Sequence, residues 1–237
     1  MRKTMFVAAA GLFMATAVNA QKEKKETIEG NGNVVTKEVP VSTFDALKAS
    51  GVYELNLSQG DKEGVKIEAD ENLQQYFTVR NEGSKLVIDM KELNNKNLKL
   101  KSKMKVYVTF KKLKEMNLNM VGSVHTTSQL SFADIDIENS SVGHVDLDLT
   151  ATTLNLKNNS VGKVKISGKA QDAKVTNNSV GNLDAGTFVV QTMNIDNSGV
   201  GNAEVNAEKE LKVKDGMLSR VKNKGAAPIK KNNKVLI

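Results

Sequence analysis

From residue 121 onward the chain alternates apolar and polar residues in short runs, and the runs recur at a nearly fixed distance. Val-Gly marks each recurrence: Val121-Gly122, Val142-Gly143, Val161-Gly162, Val180-Gly181 and Val200-Gly201, spaced by 21, 19, 19 and 20 residues. Three and five residues after each valine stand Val124/Thr126, Val145/Leu147, Val164/Ile166, Leu183/Ala185 and Ala203/Val205. Period-two alternation is that of a strand with one buried face. A second run closes each repeat with Ile135/Ile137, Leu154/Leu156, Ala173/Val175, Met193/Ile195 and Leu211/Val213. A repeat near twenty residues, built of strands and without helical periodicity, predicts a solenoid in which each repeat is one coil. Successive coils run in the same direction, so their strands pair in parallel, and crossover handedness favours right-handed winding.

Two residues beyond the second run come Asn139, Asn158, Asn177, Asn197 and then Asp215. The alternation turns these side chains inward, where a buried amide requires partners. Stacked asparagines that bond one another and the turn backbone meet that requirement. The glycine after each valine admits a positive φ where the chain turns. The outward columns carry mixed charges, including Glu138, Lys157, Asp196 and Lys214 on one strand and Asp146, Lys165, Asp184 and Glu204 on the other. Such columns read as a solvated surface with lateral pairs between coils.

The first half is less regular. Short strands are expected around Val34-Val35 and over residues 44–48, 52–57, 65–69, 77–80 and 86–90, with turn signals at Ser50-Gly51, Gln59-Gly60-Asp61, Asp70-Glu71-Asn72 and Asn81-Glu82-Gly83. One continuous domain over 30–237 follows, with an entry or capping part at 30–110 and regular coils at 111–237. Residues 21–29 are charged and read as a flexible tail. At the N-terminus, Arg2 and Lys3 precede an uncharged stretch, residues 5–18, and then Val18-Asn19-Ala20. This is the layout of a secretory signal peptide, with cleavage expected after Ala20. Export to the periplasm or the cell surface follows, and no later segment is apolar enough for a membrane-spanning helix, so an integral membrane protein is not expected.

Composition narrows the chemistry. The 237 residues include no Cys, no Trp, two His and ten aromatics. Disulfides, thiolate metal sites and cysteine nucleophiles are excluded, and the core must be aliphatic. No cofactor or metal is implied.

The net charge of +7 would fall to +5 once residues 1–20 are removed. Residues 91–114 hold nine lysines against the single acid Glu92. Within the alternating run 98–106, Lys99, Lys101, Lys103 and Lys105 are expected on one strand face, about 6.5–7 Å apart. They are candidate ligands for an anionic glycan or lipopolysaccharide; the competing reading is a charged strand that resists edge pairing. Export and the lack of aromatics among the lysines argue against nucleic acid.

Catalysis has little material. Asp134/Asp136 and Asp146/Asp148 are same-face carboxylate pairs that suit a calcium site or a glycosidase. A polysaccharide lyase would need a basic partner, and the chain beyond residue 20 offers only Arg80 and Arg220 as arginines. His144 and Asp146 share a face with no activated serine in view. The favoured reading is a non-enzymatic envelope or surface protein contacting glycan or protein, with a polysaccharide lyase or hydrolase and a periplasmic structural or stress-response component as alternatives.

Several motifs in order carry a family resemblance: Gly32-Asn33-Val34-Val35, Val39-Pro40-Val41-Ser42 with Phe44-Asp45-Ala46-Leu47, Ser50-Gly51-Val52, Gln59-Gly60-Asp61, Ala69-Asp70-Glu71-Asn72-Leu73, and Val106-Tyr107-Val108-Thr109 leading into the repeats. From about Gly30 onward the chain resembles the head GIN domain family of secreted auto-transporter adhesins. The resemblance implies a right-handed parallel β-helix of pectin-lyase-like shape, no catalytic residues, a role in cell adhesion and an envelope setting in Bacteroidetes-type bacteria. The family's Ser-Gly-Ser-Gly turn appears here mostly as Ser-Val-Gly. Neither a translocator barrel nor a lipidated cysteine is evident, so self-anchoring in an outer membrane is not expected. The terminal Val235-Leu236-Ile237 is expected to cap the stack or to pair in a homo-oligomer.

Overall fold

The computed structural model describes residues 26–90 and 96–231. The signal segment and Val235-Leu236-Ile237 lie outside the described residues. The chain is all-β, with a solenoid of about six turns over residues 115–231 joined to a nearly closed mixed sheet. Val145, Val164, Leu183 and Ala203 stack in register on one leg of successive coils, and Leu154, Ala173, Met193 and Leu211 stack on the other. All of these pairings are parallel. Every repeated inward position named above is buried except Asp215 and Thr126; the Thr126 Oγ1 accepts a hydrogen bond from the Asp148 amide at 3.0 Å. The 20-residue spacing between Val180 and Val200 appears as a register shift after Asp184, so the extra residue is absorbed as a bulge and the aliphatic lining stays in phase.

The entry region departs from the regular pattern in two ways. First, coil order is not chain order. Ala46–Val52 lies between Lys85–Asp89 and Glu115–Val121, and Glu54–Gln59 lies between Lys105–Phe110 and Val124–Thr126. The earlier segment thus sits deeper in the stack than the later one. Second, pairing is mixed: Val34–Val39 with Gly64–Asp70, Gly64–Asp70 with Lys105–Phe110, and Thr78–Glu82 with Lys85–Asp89 are antiparallel. These strands extend the sheets past the first coil, and Leu47, Leu55, Val106 and Leu118 belong to the same core as the coils.

The expected tail at 21–29 is ordered where it is described. Thr27–Glu29 pairs in parallel with Asn97–Lys99, because Ile28 packs against the core while its neighbours face outward. The inward column also ends sooner than expected. Asp215 does not continue the asparagine series; it is only partly buried and its carboxylate lies 3.4 Å from Lys231. The Asn197 side-chain amide donates instead to the Arg220 carbonyl at 3.3 Å.

Candidate contact surface

The corner between the two legs is built in layers. Inside it, each asparagine donates to the next: Asn139 to Asn158 at 2.9 Å, Asn158 to Asn177 at 2.7 Å and Asn177 to Asn197 at 2.7 Å. The Ser141, Ser160 and Ser179 hydroxyls donate to Oδ1 of Asn139, Asn158 and Asn177, two residues back, at 2.6 to 2.8 Å. The amides are thereby satisfied within the protein, which makes the column structural. Next comes glycine. Gly162 has φ +135°, and a Cβ there would lie 2.0 Å from the Gly143 carbonyl oxygen of the adjacent coil. No side chain fits between backbones that close.

Outermost are the valines. Val121, Val142, Val161, Val180 and Val200 are each about half exposed and bridge one another in a single parallel column. Gly201 donates its amide to the Leu218 carbonyl just as Gly181 donates to Val200, so Leu218 is the next step of this ridge. Leu218 is 71% exposed and its neighbour Met217 fully so. Two residues beyond the valines runs a polar column, Ser123, His144, Lys163, Asn182, Asn202 and Arg220. Beside it runs the charged column His125, Asp146, Lys165, Asp184, Glu204 and Lys222.

Most charges there are paired. Lys165 reaches Asp146 at 3.4 Å and Lys163 reaches Asp184 at 2.9 Å. The hydrogen bond from Lys163 holds the Asp184 carboxyl below its ordinary range. Glu204 lies between Lys222 and Lys224, and its carboxyl is lowered chiefly by the bond from Lys224.

The lysine run does not form the single strand face expected of it. Strand structure stops at Lys99 and resumes at Lys105, so Lys101 and Lys103 fall in the intervening bend. Lys99 and Lys101 both reach Glu29, at 3.1 and 3.5 Å. Lys105 bonds Glu68 at 2.9 Å, which raises the lysine's pKa. Two acids outside the run, Glu29 and Glu68, therefore break up the row; local alternation could not show them.

The carboxylate pairs are also engaged laterally. Asp136 accepts from Asn155 at 2.7 Å and Asp148 from Gln129 at 3.0 Å. Among the described residues no group of three His or acidic side chains is placed to hold a metal ion. Sequence reasoning missed the exposed ridge and the Arg220 column. The usable signal was the residue two places after each valine; the last step was hidden because Leu218-Ser219 stands where Val-Gly is expected.

The fold is a β-solenoid whose corner repeats one exposed ridge and two polar side-chain columns from coil to coil. The chain belongs to the family described as "Putative auto-transporter adhesin, head GIN domain", whose model matches residues 43–227. Among solved structures, it is similar to a "putative adhesin" from Bacteroides fragilis at 27% identity and TM-score 0.73, covering 86% of this chain and 99% of that one. A "Putative lipid binding protein" from Parabacteroides distasonis shares the fold at 21% identity and TM-score 0.60, covering 88% of this chain and all of that one. A second protein from that species, a "putative adhesin", does so at 17% identity and TM-score 0.52, covering 87% of this chain and all of that one. Among curated proteins there is no match.

Proposed function

We propose that the protein is an exported, non-enzymatic adhesion scaffold of the bacterial envelope that contacts glycan or protein through its solenoid faces and corner. The observation that carries the reading is the repetition of outward columns, one side chain per coil, along about six stacked turns. Neighbouring side chains of a column are about 4.8 Å apart, so the scaffold presents a regular array to an extended partner without moving. The adhesin family supports this use of the array. The signal-like N-terminus supports export.

Protease treatment of intact cells, paired with binding of protein-coated beads to envelope and host-type glycans, tests the proposal. Bead binding together with shaving of the protein from intact cells is the expected result. Beads that bind nothing, with release of unsaturated or reducing sugar from those glycans, would overturn it in favour of a polysaccharide-cleaving enzyme.

A further inference from the structure

At the C-terminal end of the corner the two polar columns enclose a groove of about 450 Å³. Its walls include Lys163, Asn182, Asp184, Asn202, Glu204 and Arg220. Lys163 neutralises Asp184, and Lys222 and Lys224 neutralise Glu204. Among the described residues Arg220 has no ion pair, and its side chain is exposed. The groove thus offers one guanidinium without an ion pair, two side-chain amides and two lysine-paired carboxylates, beside the apolar edge of Val180, Val200 and Leu218.

This set discriminates among ligands. A densely phosphorylated or sulfated chain would bring many anionic charges to a lining that holds three basic side chains against two carboxylates, a single net positive charge. A neutral sugar would leave the guanidinium without its best partner. A carboxylated sugar fits both requirements, with its carboxylate on Arg220 and its hydroxyls donating to Asp184 and Glu204. The ridge takes the sugar's C–H face. Asn182, Asn202 and Arg220 lie on one line in consecutive coils, which suits several residues of a chain rather than one terminal sugar.

We infer that this groove binds a linear glycan bearing uronic acid residues along the corner. The inference rests on the adhesion reading and specifies its partner.

Calorimetric titration of the full chain with oligogalacturonate, its methyl ester and sialyllactose tests it. Oligogalacturonate should bind saturably, the methyl ester should bind at least tenfold more weakly, and Arg220→Gln should weaken oligogalacturonate binding by about the same factor. Asn202→Ala, at an exposed position, provides a second variant, expected to lose severalfold. Thermal melts confirm folding of each. The variant with Gln at Lys99, Lys101, Lys103 and Lys105 should bind like the parent. Failure to bind oligogalacturonate, binding indifferent to Arg220→Gln, binding abolished in the lysine variant, or preference for sialyllactose each overturns the inference. Beads that still bind other envelope or host-type glycans in those cases leave the adhesion reading standing.

Discussion

The side-chain amide of Asn158 donates to Oδ1 of Asn177, 2.7 Å away and nineteen residues on. Asn158 in turn accepts from Asn139 and from the Ser160 hydroxyl. A single residue thereby ties three coils together at the corner, in a place where water does not reach it. The neighbouring position toward the N-terminus, Leu118, pairs with Asn139 in the same register. The column therefore has a defined start, and its members are not equivalent.

That inequality gives a measurable difference. Asn158→Ala leaves the Asn139 amide and the Ser160 hydroxyl without acceptors and is expected to cost roughly 2–4 kcal/mol. Asn139→Ala orphans the Ser141 hydroxyl and removes the longer, 3.3 Å bond from the Ser141 amide, but it cuts the ladder at its end rather than between two coils, and should cost roughly 1–3 kcal/mol. Urea unfolding of both variants gives the comparison; equal costs would mean that the ladder does not transmit load between coils.

Gly162 and Gly64 make a matched pair for the corner backbone. An added Cβ at Gly162 runs into the Gly143 carbonyl, whereas at Gly64 it meets nothing within 4 Å. Gly162→Ala is expected to cost at least the roughly 1–3 kcal/mol of a strained backbone, and more through the clash. Gly64→Ala should melt within a degree or two of the parent. A Gly162→Ala protein as stable as the parent would require the coils to sit farther apart than described.

Leu156 and Val161 separate the lining from the ridge. Leu156 is 2% exposed, and its truncation to Ala should cost roughly 2–5 kcal/mol. Val161 is 50% exposed, so Val161→Ala should cost less than about 1 kcal/mol. Denaturant midpoints check both. A large loss at Val161 would show that the ridge is held by its own stacking rather than offered for contact.

Much of the architecture was legible because coil positions obey a local rule. Inward residues such as Val145 and Leu156 must alternate, and their equivalents must recur at the coil length. Asn158 was legible for the same reason. The entry region obeys no such rule: Ala46–Val52 pairs with Lys85–Asp89 about forty residues on, and nothing in either segment encodes that order. The lysine run misled for a related reason. Its strand pattern is local, but Glu29 and Glu68, which break the row, approach from elsewhere in the chain. Val161 carried an opposite difficulty, since a valine in a repeat invites burial and the structure places it outside.

Stability should fall at both ends of the pH scale, for separable reasons. Glu29, Asp184, Glu204 and Glu210 are held below their ordinary pKa by lysine partners. The unfolded chain then binds more protons than the folded one, so this stability is present above the usual carboxylate range and is lost as pH falls below about 4. Tyr53 acts in the other direction. It is 3% exposed, and burial, with the nearby Asp89 charge adding to it, pushes its phenol well above the usual value. Above about pH 10 the unfolded chain releases a proton that the folded chain retains, so stability drops as pH rises. Lys105 and Lys224, raised by Glu68 and Glu204, lose their contribution on the same side as they deprotonate. Salt distinguishes the two, because exposed pairs are screened and a buried phenol is not. Urea midpoints between pH 3 and 11 at high salt should retain an alkaline drop in the parent that Tyr53→Phe removes, while the acid limb is unchanged. An alkaline drop surviving in Tyr53→Phe at high salt would place its origin outside the Tyr53 pocket.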